Sequence, residues 1–183
     1  MPVDNVCKLD SIENVGRERD LRRGVAFGKA FPLNARFPMS QRHRKQTGLA
    51  DDLPNSDRLK VCSRRLVDFL EARMLERVEF LPVVVADHKG KVASAEYSIV
   101  HAVDPLDALD AAASKPRYSR ILKAEIDKVE RLVLDPKRIA AGRKVFRLAG
   151  FRLPLFVEKR LAGEMAAENF VGVEFVPLDE YEP

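Results

Sequence analysis

The chain has 183 residues, of which 46% are hydrophobic and 33% are charged, and its formal net charge is +4. This length suits one domain of roughly 100 to 200 residues, and the apolar content excludes an intrinsically disordered chain. No apolar run approaches the roughly 18 residues of a membrane span, and the first residues lack the features of a secretory signal. We therefore expect a globular cytoplasmic protein that does not associate with membranes.

The charge is distributed unevenly along the chain. Residues 17–45 hold nine Lys or Arg and two carboxylates, whereas residues 164–183 hold six carboxylates and no Lys or Arg. Two poles of opposite sign would steer a charged partner and raise its association rate. The alternative is that both stretches are solvated surface that keeps the protein soluble.

The first 55 residues contain seven Gly or Pro between positions 16 and 54, which break any long period. We expect an irregular basic segment that packs on the core, with a short strand at 35–37 and a polar loop at 41–46. Residues 56–183 are predicted to form an α+β domain, and the two parts to make one compact domain overall.

The pattern becomes regular at residue 59. Residues 59–62 are predicted to form a short strand, and Ser63 is suited to cap a helix that ends near Met74. A strand at 79–86 then leads through a hairpin turn to a partner strand at 96–103.

The second half is predicted to consist of short elements. In chain order they are a helical turn that begins at Asp104-Pro105 or at Asp107 and runs through Ala113, a strand at 128–134, a short helix capped by Asp135 that runs through Ala141, and a strand at 144–148.

One stretch of the sequence occurs twice. Residues 60–83 align with residues 155–178 without a gap, and each copy predicts a strand, a helix and a strand. The identical pairs are Arg65 and Arg160, Leu66 and Leu161, Ala72 and Ala167, Val78 and Val173, Glu79 and Glu174, Phe80 and Phe175, and Pro82 and Pro177. Two copies are too few for a solenoid. Proline in the final strand of each copy predicts an edge position or a bulge.

These elements together predict an α+β fold. We expect a largely antiparallel or mixed sheet with short helices, built around the internally duplicated strand-helix-strand unit. A parallel crossover within each copy is also compatible with this order of elements.

Three aspartates are the only clustered carboxylates that suggest chemistry. Asp104, Asp107 and Asp110 would share one helix face, where they could bind a divalent metal or act as acid and base. Helix capping and turn formation explain them equally well. Cys62, at a strand-to-helix junction near two arginines, has a thiol that could be activated, but its repeat equivalent is Val157, which favours a buried structural role. We expect no cofactor.

The basic region raises the alternative of a nucleic-acid-binding regulator. Phe27, Phe31 and Phe37 lie among its Lys and Arg residues and could stack on bases. The same aromatics would equally pack an irregular segment onto the core, and the acidic C-terminal stretch dilutes the positive field. We therefore disfavour a nucleic-acid role.

Several short sequence segments carry a family resemblance. They are 62–66 (CSRRL), 78–83 (VEFLPV), Tyr97, 103–110 (VDPLDALD) with Ser114, 132–135 (LVLD), 146–148 (FRL), 155–157 (LFV) and 172–177 (GVEFVP). In this order, over residues 53–178, the chain resembles the eleventh numbered family of bacterial immunity proteins of polymorphic toxin systems, formerly a domain of unknown function.

The resemblance implies a non-catalytic protein that binds and neutralises a toxin made by the same cell or a sibling. Such a role needs a standard-sized interface with complementary charge rather than a pocket. The net basic charge disfavours a nuclease toxin, because antidotes to nucleases are often acidic. From charge alone, the partner-binding residues are predicted to be Arg36, Arg42, Arg44 and Lys45. An enzyme that uses the aspartates and a nucleic-acid-binding regulator are the alternatives, and the oligomeric state is left open.

Overall fold

A computed structural model describes residues 5–181, apart from the side chains of residues 152 and 153. Its largest sheet contains β1 (Arg36–Pro38), β2 (Asp52–Leu53), β3 (Val61–Ser63), β4 (Val78–Ala86) and β5 (Val92–Ala102). The strand order is β1-β4-β5-β3-β2. Only the β1–β4 pair is parallel, so the sheet is mixed and the predicted α+β class is confirmed.

The central β4–β5 hairpin forms where the sequence predicts it. The carboxylate of Asp87 accepts hydrogen bonds from the backbone N–H groups of Lys89 and Lys91, at 2.8 and 2.9 Å, which closes the turn. β4 is an inner strand, but β1 pairs only with its last residues, 84–86. Pro82 therefore lies beyond the end of β1 and next to the register shift between Val83 and Val85, which meets its need for an edge or a bulge.

The first repeat copy forms a parallel crossover. β3 and β4 both run antiparallel to β5, one on each side, and are therefore parallel to each other. Helix α2 (Arg64–Glu71) connects them, and the hydroxyl of Ser63 accepts the N–H of Leu66 at 3.3 Å as its predicted cap. α2 ends three residues earlier than predicted, in a turn where Met74 has a φ of 46°.

The remaining elements are short. They are α1 (Glu18–Arg23), α3 (Ala111–Ser114), β6 (Arg117–Tyr118), β7 (Ile126–Lys128), β8 (Val145–Leu148), β9 (Phe151–Val157), α4 (Lys159–Ala167) and single 3-10 turns at Gly28–Ala30, Gln41–His43 and Pro136–Arg138. β6 pairs with β7 and β8 with β9, both antiparallel and outside the five-stranded sheet.

Between residues 104 and 141, three predictions are wrong in extent. The strand predicted at 128–134 is absent beyond Lys128, where β7 ends, and only Leu134 makes a single bridge to Leu109. The helical turn begins at Ala111 rather than near Asp104. The cap at Asp135 is confirmed, because its carboxylate accepts a backbone N–H at 3.0 Å, although it starts one 3-10 turn instead of a helix through residue 141.

The internal duplication is not confirmed as a repeated structure. The second copy supplies a strand, β9, and a helix, α4, but residues 173–177, which match the start of β4, have no regular secondary structure. β9 also pairs with β8 outside the main sheet, whereas its counterpart β3 pairs with β5. A strand needs a hydrogen-bonded neighbour, and β5 serves β4 in the first copy only.

The core has three parts. The N-terminal segment covers one face of the main sheet through buried Leu9, Leu21 and Phe37. Helices α2 and α4 cover the other face through Leu66 and Leu161. The third part joins the α3 region to the β8–β9 hairpin, and its centre is formed by the stacked rings of Phe146 and Phe156, 5.3 Å apart. The predicted domain boundary near residue 55 stays a prediction.

A buried carboxylate joins the sheet to the C-terminal segment. Asp51 accepts hydrogen bonds from the hydroxyl of Ser63 at 2.6 Å, from the guanidinium of Arg65 at 2.9 Å and from the backbone N–H of Val171 at 2.9 Å. Its own N–H donates to the carbonyl of Val171 at 2.9 Å. Three parts of the chain that are far apart in sequence therefore meet on one side chain.

Arg65 extends this network to the end of α4. Its guanidinium donates to the carbonyl of Glu168 at 2.6 Å and lies 4.4 Å from the ring centroid of Phe170. The contact with the ring is a cation–π interaction. Arg65 therefore fixes the chain where it leaves α4 and turns toward residue 171.

Candidate partner-binding surface

A polar groove of about 650 Å³ lies between the N-terminal segment and the turn that follows β1. The backbone N–H of Ser40 donates to the carbonyl of Lys8 at 2.7 Å, and Leu9 bridges to Met39, so these two distant stretches run side by side. Lys8 and Asp10 therefore face the turn that carries Arg42 across the groove.

Three of the four predicted interface residues lie on or just after the turn Gln41–His43. Arg42, Arg44 and Lys45 are exposed. The turn is held in place because Gln41 accepts from Arg44 at 2.9 Å and donates to the carbonyl of His88, in the β4–β5 turn, at 2.9 Å. We call Arg42, Arg44 and Lys45 the basic rim.

Arg36 has a different setting from the basic rim. It lies on β1, and its guanidinium forms an ion pair with Glu13 at 2.6 Å. In contrast, within residues 5–181, Arg42 and Lys45 form no ion pair. The basic rim therefore offers more uncompensated charge to a partner than Arg36 does. A role for any of the four in binding stays a prediction.

Two further residues of the groove, one lysine and one histidine, were not predicted from the sequence. Lys8 and His43 both line it. Lys8 lies more than 30 positions before the turn, and only the bridge between Leu9 and Met39 brings it there. No motif or spacing in the sequence signals this contact.

The three aspartates each have a local role. Asp104 forms an ion pair with Arg77 at 3.1 Å, and Asp107 forms one with Arg138 at 3.2 Å. Asp110 caps α3, 3.0 Å from a backbone N–H of that helix. In the part of the chain that the structure describes, no group of three His, Cys, Asp or Glu residues could hold a metal ion.

Replacing Asp107 and Asp110 with asparagine is expected to leave both stability and any neutralising activity close to the wild type. Asp107 has a side chain that is 87% exposed, and asparagine caps helices about as well as aspartate. Asp110→Ala, which removes the cap, should lower the free energy of unfolding by about 1 kcal/mol. Urea unfolding and a survival assay measure the two effects. A folded double Asn variant without activity would favour the enzyme alternative.

A small cavity of about 80 Å³ lies between α2, α4 and the main sheet. Its lining is mostly apolar. The polar exceptions are Cys62, Glu174 and the ion pair of Asp52 and Lys60, 2.7 Å apart. This volume holds at most a few water molecules. Burial raises the pKa of Cys62 well above its ordinary value, so the thiol stays neutral and its predicted structural role is favoured.

The aromatics of the basic region are buried. Phe27, Phe31 and Phe37 are 6, 8 and 0% exposed, and the first two pack edge-to-face at 5.4 Å. They pack the N-terminal segment onto the sheet and offer no stacking surface for bases.

Comparison with known proteins identifies the family. The model of the immunity protein family (Imm11) matches residues 6–180. No curated protein matches the chain. Within residues 5–181, no helix combines the length and apolar character needed to cross a bilayer. The match extends the resemblance noted over residues 53–178 to the N-terminal segment. Since it covers nearly the whole chain, this protein belongs to the Imm11 immunity protein family.

Proposed function

We propose that this protein is a non-catalytic immunity protein that binds the cognate toxin of a polymorphic toxin system and neutralises it in the cytoplasm. The family match over residues 6–180 is the observation that carries this proposal. An immunity family implies a toxin partner in general. The ion pairs and the helix cap that occupy Asp104, Asp107 and Asp110 support binding over catalysis.

The basic rim is the surface that we propose for the toxin, with Arg36 as a further contact. It combines exposed cations with a groove of about 650 Å³ beside them. A toxin that presents carboxylates would be attracted to it, and such complementarity raises the association rate. An antidote needs rapid association because the toxin acts on the cell that makes it.

Reversing the charge of the basic rim is expected to slow complex formation. The double variant Arg42→Glu and Lys45→Glu, which spares the hydrogen bond from Arg44 to Gln41, should lower the association rate constant at low salt by about tenfold or more, with a smaller change in the dissociation rate constant. Its fold should be unchanged, because both side chains are exposed. Stopped-flow or surface plasmon resonance measures both constants.

Lys137→Glu and Lys159→Glu provide the matched control. These lysines are exposed, lie in the C-terminal half of the chain and change the net charge by the same amount. They should alter the association rate far less than the rim variant does. Equal effects of the two pairs would mean that only net charge matters, and would remove the basic rim from the interface.

The proposal is tested by co-expression with the product of a neighbouring gene that encodes a toxin-like C-terminal domain. We expect the cells to survive and the two chains to co-purify in equal amounts. The proposal is wrong for that pair if the toxin kills with or without this protein and no complex is recovered. Affinity for nucleic acid that falls steeply with added salt would instead favour the regulator alternative.

A further inference from the structure

Residues 173–177 repeat the sequence of a strand but do not form one. Val-Glu-Phe-x-Pro begins at Val78 in the first copy, where it forms most of β4 and pairs with β5. The same motif begins again at Val173, where the chain has no regular secondary structure. Valine and phenylalanine favour strands, so the second copy has the propensity for a strand and lacks a neighbour to pair with.

The backbone of this segment is unpaired. Within residues 5–181, the N–H and C=O groups of residues 173–176 make no hydrogen bond. Glu174, Phe175 and Val176 are exposed, the last two at 38 and 60%, whereas Val173 is half-buried against the part of the core that holds α2 and α4. Unpaired backbone groups beside exposed apolar side chains are the features by which a strand accepts a further strand.

The segment is fixed at both ends. On one side, Val171 exchanges hydrogen bonds with Asp51, and on the other, Tyr181 packs against the third part of the core. The backbone N–H of Glu180 also donates to the carbonyl of Pro177 at 3.1 Å. An anchored segment has less conformational entropy to lose when it binds.

The charge around the segment selects a cationic partner. Glu174, Asp179 and Glu180 are exposed and form no ion pair within the described part of the chain, and residues 164–183 contain no Lys or Arg. The cation that shares a cavity lining with Glu174 is Lys60, and Asp52 already pairs with it at 2.7 Å. Pro177 lacks an N–H, as Pro82 does in β4, which suits an edge that accepts a neighbour on one side only.

We propose that residues 173–177 form a strand-addition site for a partner protein that presents an extended segment rich in Lys or Arg. The partner would supply the neighbouring strand that β5 supplies to β4. This site is separate from the basic rim and has the opposite charge, so the inference goes beyond the function proposed above.

Hydrogen exchange with a defined peptide tests this site. The probe is a peptide of about ten alternating lysine and valine residues, which has strand propensity and positive charge. In the free protein, the amides of residues 173–176 should exchange rapidly. With the peptide they should gain protection at alternate positions, because successive N–H groups of a strand point to opposite sides. Binding should weaken as salt is added.

Variants at single positions separate backbone pairing from side-chain contact. Proline at position 174, 175 or 176 removes one N–H, whereas alanine at the same position retains it. Only N–H groups that point toward the peptide can pair with it. We therefore expect proline to weaken peptide binding about tenfold relative to alanine, either at both 174 and 176 or at 175 alone. Glu174→Lys should also weaken binding, and Glu18→Lys, far away in sequence on α1, should not.

The site is refuted if the peptide gives no protection up to its solubility limit, or if an alternating glutamate and valine peptide binds equally well. If the amides of residues 173–176 gain protection as the concentration of this protein alone is raised, the site binds a second copy of the chain, and the proposal of a cationic partner is wrong. Toxin neutralisation is measured separately, by survival and co-purification. Failure of either proposal therefore leaves the result for the other intact.

Discussion

Replacement of Asp51 with alanine is expected to lower the free energy of unfolding by about 3 kcal/mol. The carboxylate is 12% exposed and accepts three hydrogen bonds, from Ser63, Arg65 and the backbone of Val171. Alanine would leave these donors without their acceptor. The C-terminal segment would lose its main polar contact with the sheet. Urea or thermal unfolding of the purified protein measures the change.

Two control variants define this prediction. Asp51→Asn keeps the shape and one acceptor oxygen and should lose less than Asp51→Ala. Asp127→Ala removes an exposed carboxylate on β7 and should change stability by less than about 0.5 kcal/mol. If Asp51→Ala unfolds at the same urea concentration as the wild type, the Asp51 network does not stabilise the fold.

Gly172→Ala is expected to be similarly damaging, with a loss of about 2 to 4 kcal/mol. Gly172 has a φ of 86°, a region that L side chains rarely adopt, and an added Cβ would lie 2.5 Å from the carbonyl oxygen of Asp52. Backbone atoms would have to move, because the contact is with a carbonyl and not with a flexible side chain. The same unfolding measurements detect this loss.

Gly163→Ala provides the opposite expectation within the same region. Gly163 lies in α4, and an added Cβ would meet nothing within 4 Å. Alanine should therefore stabilise the protein by about 0.5 to 1 kcal/mol through its higher helix propensity. If Gly172→Ala were as harmless as Gly163→Ala, the close approach of residue 172 to β2 would be wrong.

The two destabilising changes act on one contact. Asp51 and Gly172 both fix the passage from α4 to residue 173 against β2. The two losses of stability should therefore not add in the double variant. Once one change has released the chain around residue 172 from β2, the other change has no contact left to disturb. A fully additive double variant would mean that the two residues stabilise the fold independently.

Local signals in the sequence were sufficient for the elements that depend on near neighbours. Ser63 caps α2 and Asp135 caps a 3-10 turn, as their chemistry predicts. The β4–β5 hairpin follows from a turn closed by Asp87 between two strand-prone stretches. Each of these contacts spans only a few residues, so composition and spacing report them.

Contacts across the chain were not predictable in this way. The strand predicted at 128–134 has the right residue types, but after Lys128 its pairing is limited to a single bridge from Leu134 to Leu109, too short to form a strand. The second repeat copy fails for the same reason at residue 173. Propensity permits a strand, whereas a hydrogen-bonded neighbour determines whether it forms.

The candidate interface shows the same division. Charge counting located the basic rim, because its residues are adjacent in the sequence. It missed Lys8, which reaches the groove through backbone pairing with the stretch around Met39. The ion pair in which Glu13 neutralises the charge of Arg36 was also not predictable, because the two residues are 23 positions apart in the sequence.

The most direct test of the central claim is a titration of the cognate toxin's activity with this purified protein. A non-catalytic antidote must act stoichiometrically, so we predict that residual toxin activity falls linearly and reaches its minimum at one equivalent, with no dependence on incubation time after binding. Loss of toxin activity at a small fraction of one equivalent, progressing with time, would contradict the account. Such a result would show turnover and make this protein an enzyme.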